Sequence, residues 1–170
     1  MPCYDEPGIR AVMSLEIQHD ASYHALSNTP IVNRSEVPGT NYVISKFNDT
    51  PKMQTYILGF IVSDFHFLSN NEVDIEHRVY AKKQSIEEGK MNMTLRIVSP
   101  ILQELQEHFN VDYPLTKMDH VAIPDFAFSA MENNGLITYL ERAIFFDPDA
   151  TPDPKTDDFL KTIAELISHE

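Results

Sequence analysis

Hydrophobic and polar positions alternate along much of the first half of the chain. The alternation is clear from residue 11 to residue 17, and it is typical of a strand. The segment 42–47 is a second strand candidate, and 56–65, rich in β-branched and aromatic residues, predicts a buried strand. Turn-forming residues separate these runs. The first half is therefore predicted to be all β, with a sandwich as the favoured arrangement.

The hydrophobic period changes after about Tyr80. Apolar residues then recur at helical spacing and define one face: Leu95, Val98, Leu102, Leu105 and Phe109. Pro100 lies inside this run, so we expect the helix to kink there or to start late.

The rest of the second half mixes strand and helix signals. Short strands are predicted at 121–123 and 136–139, followed by a loop over 147–153 rich in Pro and Asp. Thr156 is a candidate N-cap for a second helix. The apolar face of that helix holds Phe159, Ile163, Leu166 and Ile167. The second half is thus predicted to be α+β, with a boundary near His77 that divides the chain into 1–77 and 78–170.

Composition excludes some partners. The 26 acidic residues outnumber the 13 basic ones, for a net charge of -13, and such a surface repels phosphate backbones, so nucleic acid is not an expected partner. No apolar run approaches the ~20 residues of a membrane span. Cys3 is the single cysteine, so an internal disulfide is impossible. Three N-x-S/T sequons, beginning at residues 33, 48 and 92, weakly favour a secretory ancestor.

Five short strings carry a more specific signal. In chain order they are PCYDEP at 2–7, MQTYILGFIVSDF at 53–65, YPLTKMDHVAIPDF at 113–126, SAMEN at 129–133 and ISHE at 167–170. Their order and spacing resemble those of the aminopeptidase N family of zinc metallo-aminopeptidases, of the gluzincin type, over essentially the whole chain. Within this pattern Ser129 replaces the usual Gly, and Asn134 replaces the Trp that usually follows the fourth string.

The resemblance implies a fold and a place in a longer protein. Residues 1–77 would be the C-terminal part of an N-terminal β-sandwich domain. Residues 78–170 would be the α+β start of a thermolysin-like catalytic domain. We therefore expect an internal fragment that ends at the start of the zinc motif. Relatives of this kind favour a plasma-membrane or extracellular location over a cytoplasmic one.

The resemblance also implies a substrate site at 130–133. Glu132 matches the family glutamate that binds the free α-amine of a peptide, which restricts cleavage to the N-terminus. A carboxylate suits this role, because a charge-assisted hydrogen bond to an ammonium fixes its position. Ala130, Met131 and Asn133 complete the segment, whose backbone would hold the peptide like an added edge strand.

The last two residues match the opening of the zinc motif H-E-x-x-H. The resemblance makes His169 the first zinc ligand and Glu170 the general base that takes a proton from a zinc-activated water. A catalytic zinc needs three protein ligands, and the second His and the distal Glu of the family are absent from these residues. The other six histidines show no metal-ligand spacing and are interpreted as surface or core residues.

Two functions follow from these patterns. In the first, the chain is a fragment of a zinc aminopeptidase that removes N-terminal amino acids from peptides. In the second, the chain by itself is a catalytically inactive relic that binds peptides or presents an interaction surface, or a polypeptide that does not fold stably alone. A plain β-sandwich interaction module is disfavoured, because it would not explain residues 129–133 or the terminal His-Glu pair.

Overall fold

The structure, a computed structural model, describes residues 3–70, 75–146 and 153–170; for 153–157 it describes the backbone only. Residues 1 and 2, which include the first residue of the PCYDEP string, lie outside the described residues, as does all but the last position of the predicted loop over 147–153. The side chain of the proposed N-cap Thr156 also lies outside them. The backbone nevertheless corrects the start of the last helix, which begins at Asp153 rather than after Thr156.

The early part of the described chain forms three small antiparallel sheets. The first pairs β1 (Arg10–Ala11) with β6 (Met53–Gln54). The second has the order β2-β5-β4, formed by Glu16–Asp20, Tyr42–Phe47 and Ile31–Glu36. The third pairs β3 (His24–Ser27) with β7 (Phe60–Ser63).

The later strands form one five-stranded mixed sheet. They are β8 (His66–Asn70), β9 (Glu76–Ala81), β10 (Lys117–Ile123), β11 (Ala130–Asn133) and β12 (Leu136–Leu140). The spatial order is β11-β12-β10-β9-β8. Strand β10 runs parallel to both of its neighbours, and β11 lies antiparallel to β12 at the edge. Every residue of β10 except the last is buried, as expected for a central strand covered on both faces.

Four helices accompany this sheet in the described residues. They are α1 (Lys83–Glu87), α2 (Asn92–Phe109), α3 (Glu141–Ile144) and α4 (Asp153–Ser168). The main core lies between the sheet and the helices α2 and α4, where Val98 and Ile163 are completely buried beside Val79 and Ile137. This packing fixes the end of α4 against the sheet.

Both predicted helical faces are confirmed in most of their members. On α2, Val98 and Leu102 are buried and Leu95 and Leu105 pack against the core, whereas Phe109 is exposed at the end of the helix. The helix begins eight residues before Pro100, so the prediction of a late start is wrong. The helix ends at Phe109 and is followed by Asn110, whose positive φ of 53° gives it the left-handed conformation common after helices. On α4, all four predicted face residues are buried.

The strand predictions need two corrections. The segment 56–65 is not one buried strand: a 3-10 turn occupies Thr55–Ile57, and β7 follows at Phe60–Ser63 with Phe60 exposed. Gly59 lies between these two elements, and its backbone N–H donates to the side chain of Asn28 instead of to a neighbouring strand. The alternating segment 11–17 is also not one continuous strand. Its first residue is paired in β1 and its last two are paired in β2, but residues 12–15 between them belong to neither strand.

The predicted order of the fold is confirmed: sheets come first, and an α+β part follows. The boundary near His77 stays a prediction; that residue lies within β9. Among the described residues, none of the helices is both long enough and apolar enough to cross a membrane.

Candidate active site

The end of α4 lies against the β11–β12 hairpin. This packing brings His169 and Glu170, which follow the helix, to the strand that carries Glu132. The Nδ1 atom of His169 lies 3.5 Å from Oε1 of Glu132, and both side chains are partly exposed, at 51% and 32%. Glu132 therefore meets His169 and Glu170, which follow it by more than 35 positions, at one edge of the sheet.

Glu132 lies on an edge strand. Its strand, β11, pairs with β12 so that Ala130 faces Tyr139 and Glu132 faces Ile137. On its other side β11 has no strand partner among the described residues. An unpaired strand edge offers backbone N–H and C=O groups to an extended peptide.

The carboxylate of Glu170 is held at one oxygen only. Its Oε2 atom accepts a hydrogen bond of 2.7 Å from the backbone N–H of Gly135. The hydroxyl of Tyr113 lies 3.4 Å from the same oxygen and 3.1 Å from the carbonyl of Lys117, and it donates to one of them at a time. The buried Oε1 atom has no hydrogen-bond partner within the described part of the chain.

The environment of Glu170 raises its pKa to about 7. The main cause is burial, which disfavours the charged carboxylate. The hydrogen bond from Gly135 and the positive charge of Lys117 act in the opposite direction, and the nearby charge of Glu132 adds to the increase. A carboxylate with a pKa near neutrality is suited to accept and return a proton.

Gly135 forms the turn between β11 and β12. Its φ of 70° is one that side-chain-bearing residues rarely adopt, and a Cβ atom at this position would overlap the backbone oxygen of Asn28. The sequence signal for this turn was present, because Asn-Gly between two strand-like runs is typical of a hairpin. We did not predict that the turn would bind Glu170.

Asn28 fixes the same turn from the early part of the chain. It is completely buried, and its Nδ2 atom donates to the backbone oxygens of Ile57 at 2.9 Å and of Asn134 at 2.7 Å. The predicted site residue Asn133 is also buried, and its Nδ2 atom donates to Ile57 O at 3.2 Å. Its side chain therefore supports the turn, and its part in substrate binding stays a prediction.

Replacing Asn134 by Trp is expected to change the free energy of unfolding by less than about 1 kcal/mol, because the turn is held through the backbone oxygen of Asn134. The matched change Asn28→Ala removes the donor and should cost about 2 kcal/mol. Urea denaturation of the two variants and the unmodified chain gives the comparison. A large cost for Asn134→Trp would contradict the view that only the backbone matters here.

Neither Glu132 nor His169 lines either of the two cavities described next. A groove of about 360 Å³ runs between the end of α2 and the end of α4, and Glu170 lines it together with Phe109, Tyr113 and Ile167. A larger depression of about 650 Å³ near Gly89 is lined by none of the predicted site residues. We therefore place the candidate site by its side chains at the sheet edge and not by cavity size.

The described residues do not by themselves complete a metal centre. No group of three His, Cys, Asp or Glu side chains that could hold a metal ion occurs in the part of the chain that the structure describes. A catalytic zinc requires three protein ligands and an open position. His169 is therefore at most one ligand of such a site.

The described residues combine a β-rich part, an α+β part and a glutamate–histidine–glutamate constellation at the sheet edge, which is the order that the resemblance to metallopeptidases implies. Family comparison agrees: residues 1–57 match the Peptidase M1 N-terminal domain, and residues 93–170 match the Peptidase family M1 domain. The chain belongs to peptidase family M1.

Individual relatives are aminopeptidases. The chain is 38% identical to aminopeptidase N of Rattus norvegicus over 173 residues, 34% identical to aminopeptidase Ey of Gallus gallus over 171 residues and 36% identical to aminopeptidase Q of Homo sapiens over 173 residues. Each match covers 99% of this chain. The chain spans only 17–18% of the length of these relatives.

Proposed function

We propose that this chain is part of a zinc-dependent aminopeptidase that removes amino acids from the N-termini of peptides. The observation that carries the proposal is the approach of His169 to Glu132, at 3.5 Å, on an unpaired strand edge beside Glu170. Family membership supports a peptidase, and the names of the relatives support an aminopeptidase.

Glu132 would bind the free α-amine of the substrate. Its carboxylate is partly exposed, and the imidazole at 3.5 Å shows that a cationic or hydrogen-bonding nitrogen fits beside it. A substrate ammonium would gain a charge-assisted hydrogen bond there. A peptide with a blocked N-terminus would lose that bond and leave the carboxylate without its partner.

The backbone of β11 would align the peptide. Ala130 and Met131 lie just before Glu132 on the sheet edge, where an extended segment can pair as an additional strand. Such pairing places successive peptide bonds at fixed distances along the edge. The residue that carries the free amine would then lie at Glu132.

Glu170 would act as the general base. Gly135 holds one carboxylate oxygen, and the other, Oε1, is buried without a partner in the described part of the chain, so Oε1 is the oxygen that would take a proton from a water molecule bound beside it. The raised pKa of Glu170 allows the same group to pass the proton to the leaving amine.

Zinc would supply electrophilic activation of water and of the peptide carbonyl. In this chain His169 is the proposed ligand, and the proposal for zinc rests on the family and not on a ligand set among the described residues.

A labelled peptide-binding experiment tests the recognition of the amine. We expect a short peptide with a free N-terminus to shift the backbone amide NMR signals of residues 130–133 in the 170-residue chain. The N-acetylated peptide, or the variant Glu132→Gln, should bind about tenfold more weakly, because either change removes a charged hydrogen bond.

Glu165→Gln is the matched control, because it removes an exposed carboxylate from α4 without touching β11. Binding to this variant should equal binding to the unmodified chain. Equal binding of the acetylated and the free peptide would overturn the role of Glu132.

A second candidate function is peptide binding without hydrolysis. The absence of a three-ligand group from the described residues favours it for the chain taken alone. Release of a fluorophore from an aminoacyl substrate in the presence of zinc, abolished by a chelator, would separate hydrolysis from binding alone.

A further inference from the structure

Lys117 has an unusual position for a lysine. Its side chain is only 5% exposed, and its ammonium group makes three hydrogen bonds inside the protein. Fully buried lysines are rare unless they are paired. The function proposed above assigns no role to this residue, which lies at the start of the central strand β10.

The three acceptors of Lys117 belong to different parts of the fold. The Nζ atom donates to Ser27 O in β3 at 2.7 Å, to Asp119 Oδ2 at 2.7 Å and to Gly135 O at 2.6 Å. We call these four residues the Lys117 cluster. It joins the early sheets, the central strand and the hairpin turn through one buried charge.

The cluster acts on the turn that holds Glu170. The backbone oxygen of Gly135 accepts hydrogen bonds from Lys117 and, at 3.1 Å, from the N–H of Asp119. The N–H of the same residue donates to Glu170 at 2.7 Å. Gly135 is thus held on its carbonyl side by Lys117 and holds the proposed general base on its amide side.

We propose that Lys117 is a positioning residue: through its bonds to Ser27 and Gly135, it fixes the hairpin turn that orients Glu170 and carries Glu132 on β11. This inference rests on the proposed function for the roles of Glu132 and Glu170. The ammonium makes no hydrogen bond to either carboxylate in the described contacts, so it orients Glu170 through the Gly135 backbone, while its charge acts on Glu170 across space.

The ammonium of Lys117 also forms a buried ion pair with Asp119, and this pair affects which variants can test the proposal. Burial lowers the pKa of Lys117 and raises the pKa of Asp119, and in each case the charge of the other residue opposes the shift. Removing one member of a buried pair leaves the other charged group without a partner, which destabilises a protein strongly. A test therefore needs one variant that removes the lysine alone and one that removes both members.

The test compares hydrogen exchange at one amide with exchange in the rest of the chain. In Lys117→Met, and in the double variant Lys117→Met/Asp119→Leu, we expect the Gly135 amide to exchange about tenfold faster than in the unmodified chain, after correction for global stability. The amide of Val98 in the core of α2 reports the global change. Lys46→Met, which removes an exposed lysine paired with Glu16, is the matched control and should leave Gly135 unchanged.

A purely structural role would give a different result. Gly135 and Val98 would then change exchange by the same factor in both lysine variants, and this outcome would overturn the proposal. Unchanged exchange at Gly135 in the folded double variant would also overturn it. The double variant keeps the test decisive if Lys117→Met alone does not fold.

Peptide binding gives an independent second readout. With the turn released, the free-amine peptide should bind the double variant about fivefold more weakly than the unmodified chain. If the unmodified chain does not bind this peptide at all, the proposed function is wrong at Glu132. The exchange data still decide whether Lys117 positions the turn, so the two failures are distinguishable.

Discussion

Replacing Gly135 by alanine is expected to lower the free energy of unfolding by about 4 kcal/mol or more. Two costs combine at this position. The φ of 70° is unfavourable for any residue with a Cβ atom, and that atom would overlap the backbone oxygen of Asn28 and lie 2.8 Å from Leu115 Cδ1. Neither the Asn28 backbone nor the turn can move freely, because the turn is hydrogen-bonded on both sides.

Gly39 provides a matched control for the backbone cost. Its φ of 77° resembles that of Gly135, but a Cβ atom there would meet nothing within 4 Å. The variant Gly39→Ala should therefore lose only about 1 kcal/mol, from the strained φ alone. Urea denaturation of both variants measures the difference between the two losses in unfolding free energy. Equal losses would show that the residues around Gly135 move to accommodate the Cβ atom without destabilising the fold, which would contradict this prediction.

The periodic parts of the fold could be predicted from local patterns. The face of α2 follows from apolar residues three and four apart, and β5 follows from alternation between turn signals. The prediction failed at 56–65, where Gly59 bends toward Asn28. A hydrogen bond to a residue far away along the chain leaves no trace in local hydrophobic periodicity.

In the candidate site too, some residues could be predicted from the sequence and others could not. Glu132, His169 and Glu170 were predicted from a family resemblance in short strings, and the structure brings them together. Their supports were not predicted, because the contacts of Lys117 with Ser27 and of Asn28 with Asn134 join residues 90 and 106 positions apart. Such contacts depend on the whole fold and cannot be inferred from any one segment.

Acid is expected to destabilise the chain through His77. This side chain is 1% exposed, and burial lowers its pKa to about 4. Because the folded-state pKa lies below the ordinary value of 6.5, the unfolded chain takes up the proton first as the pH falls. The stability that neutral His77 retains above pH 6.5 is therefore lost between pH 6.5 and about 4, for a total of about 3 kcal/mol.

The neighbours of His77 shape this dependence. Its ring stacks on that of His120 at 6.1 Å, and burial places the pKa of His120 well below its ordinary value, so His120 acts in the same direction. Glu170 acts in the opposite direction, because its raised pKa makes protonation favour the folded chain. The net pH dependence of the unmodified chain thus mixes opposing contributions, and only a comparison with a variant isolates His77.

The comparison uses His77→Leu, which replaces the imidazole by an apolar side chain of similar size. Between pH 7.5 and 5.5, the unmodified chain should lose about 1.4 kcal/mol more than this variant, as the difference between the two unfolding free energies in urea. Val12→Ala, at an exposed position that carries no titratable group, should show the same pH dependence as the unmodified chain. If His77→Leu also follows the unmodified chain, then His77 is protonated without cost in the folded state, and the buried pair of rings must open to water in acid.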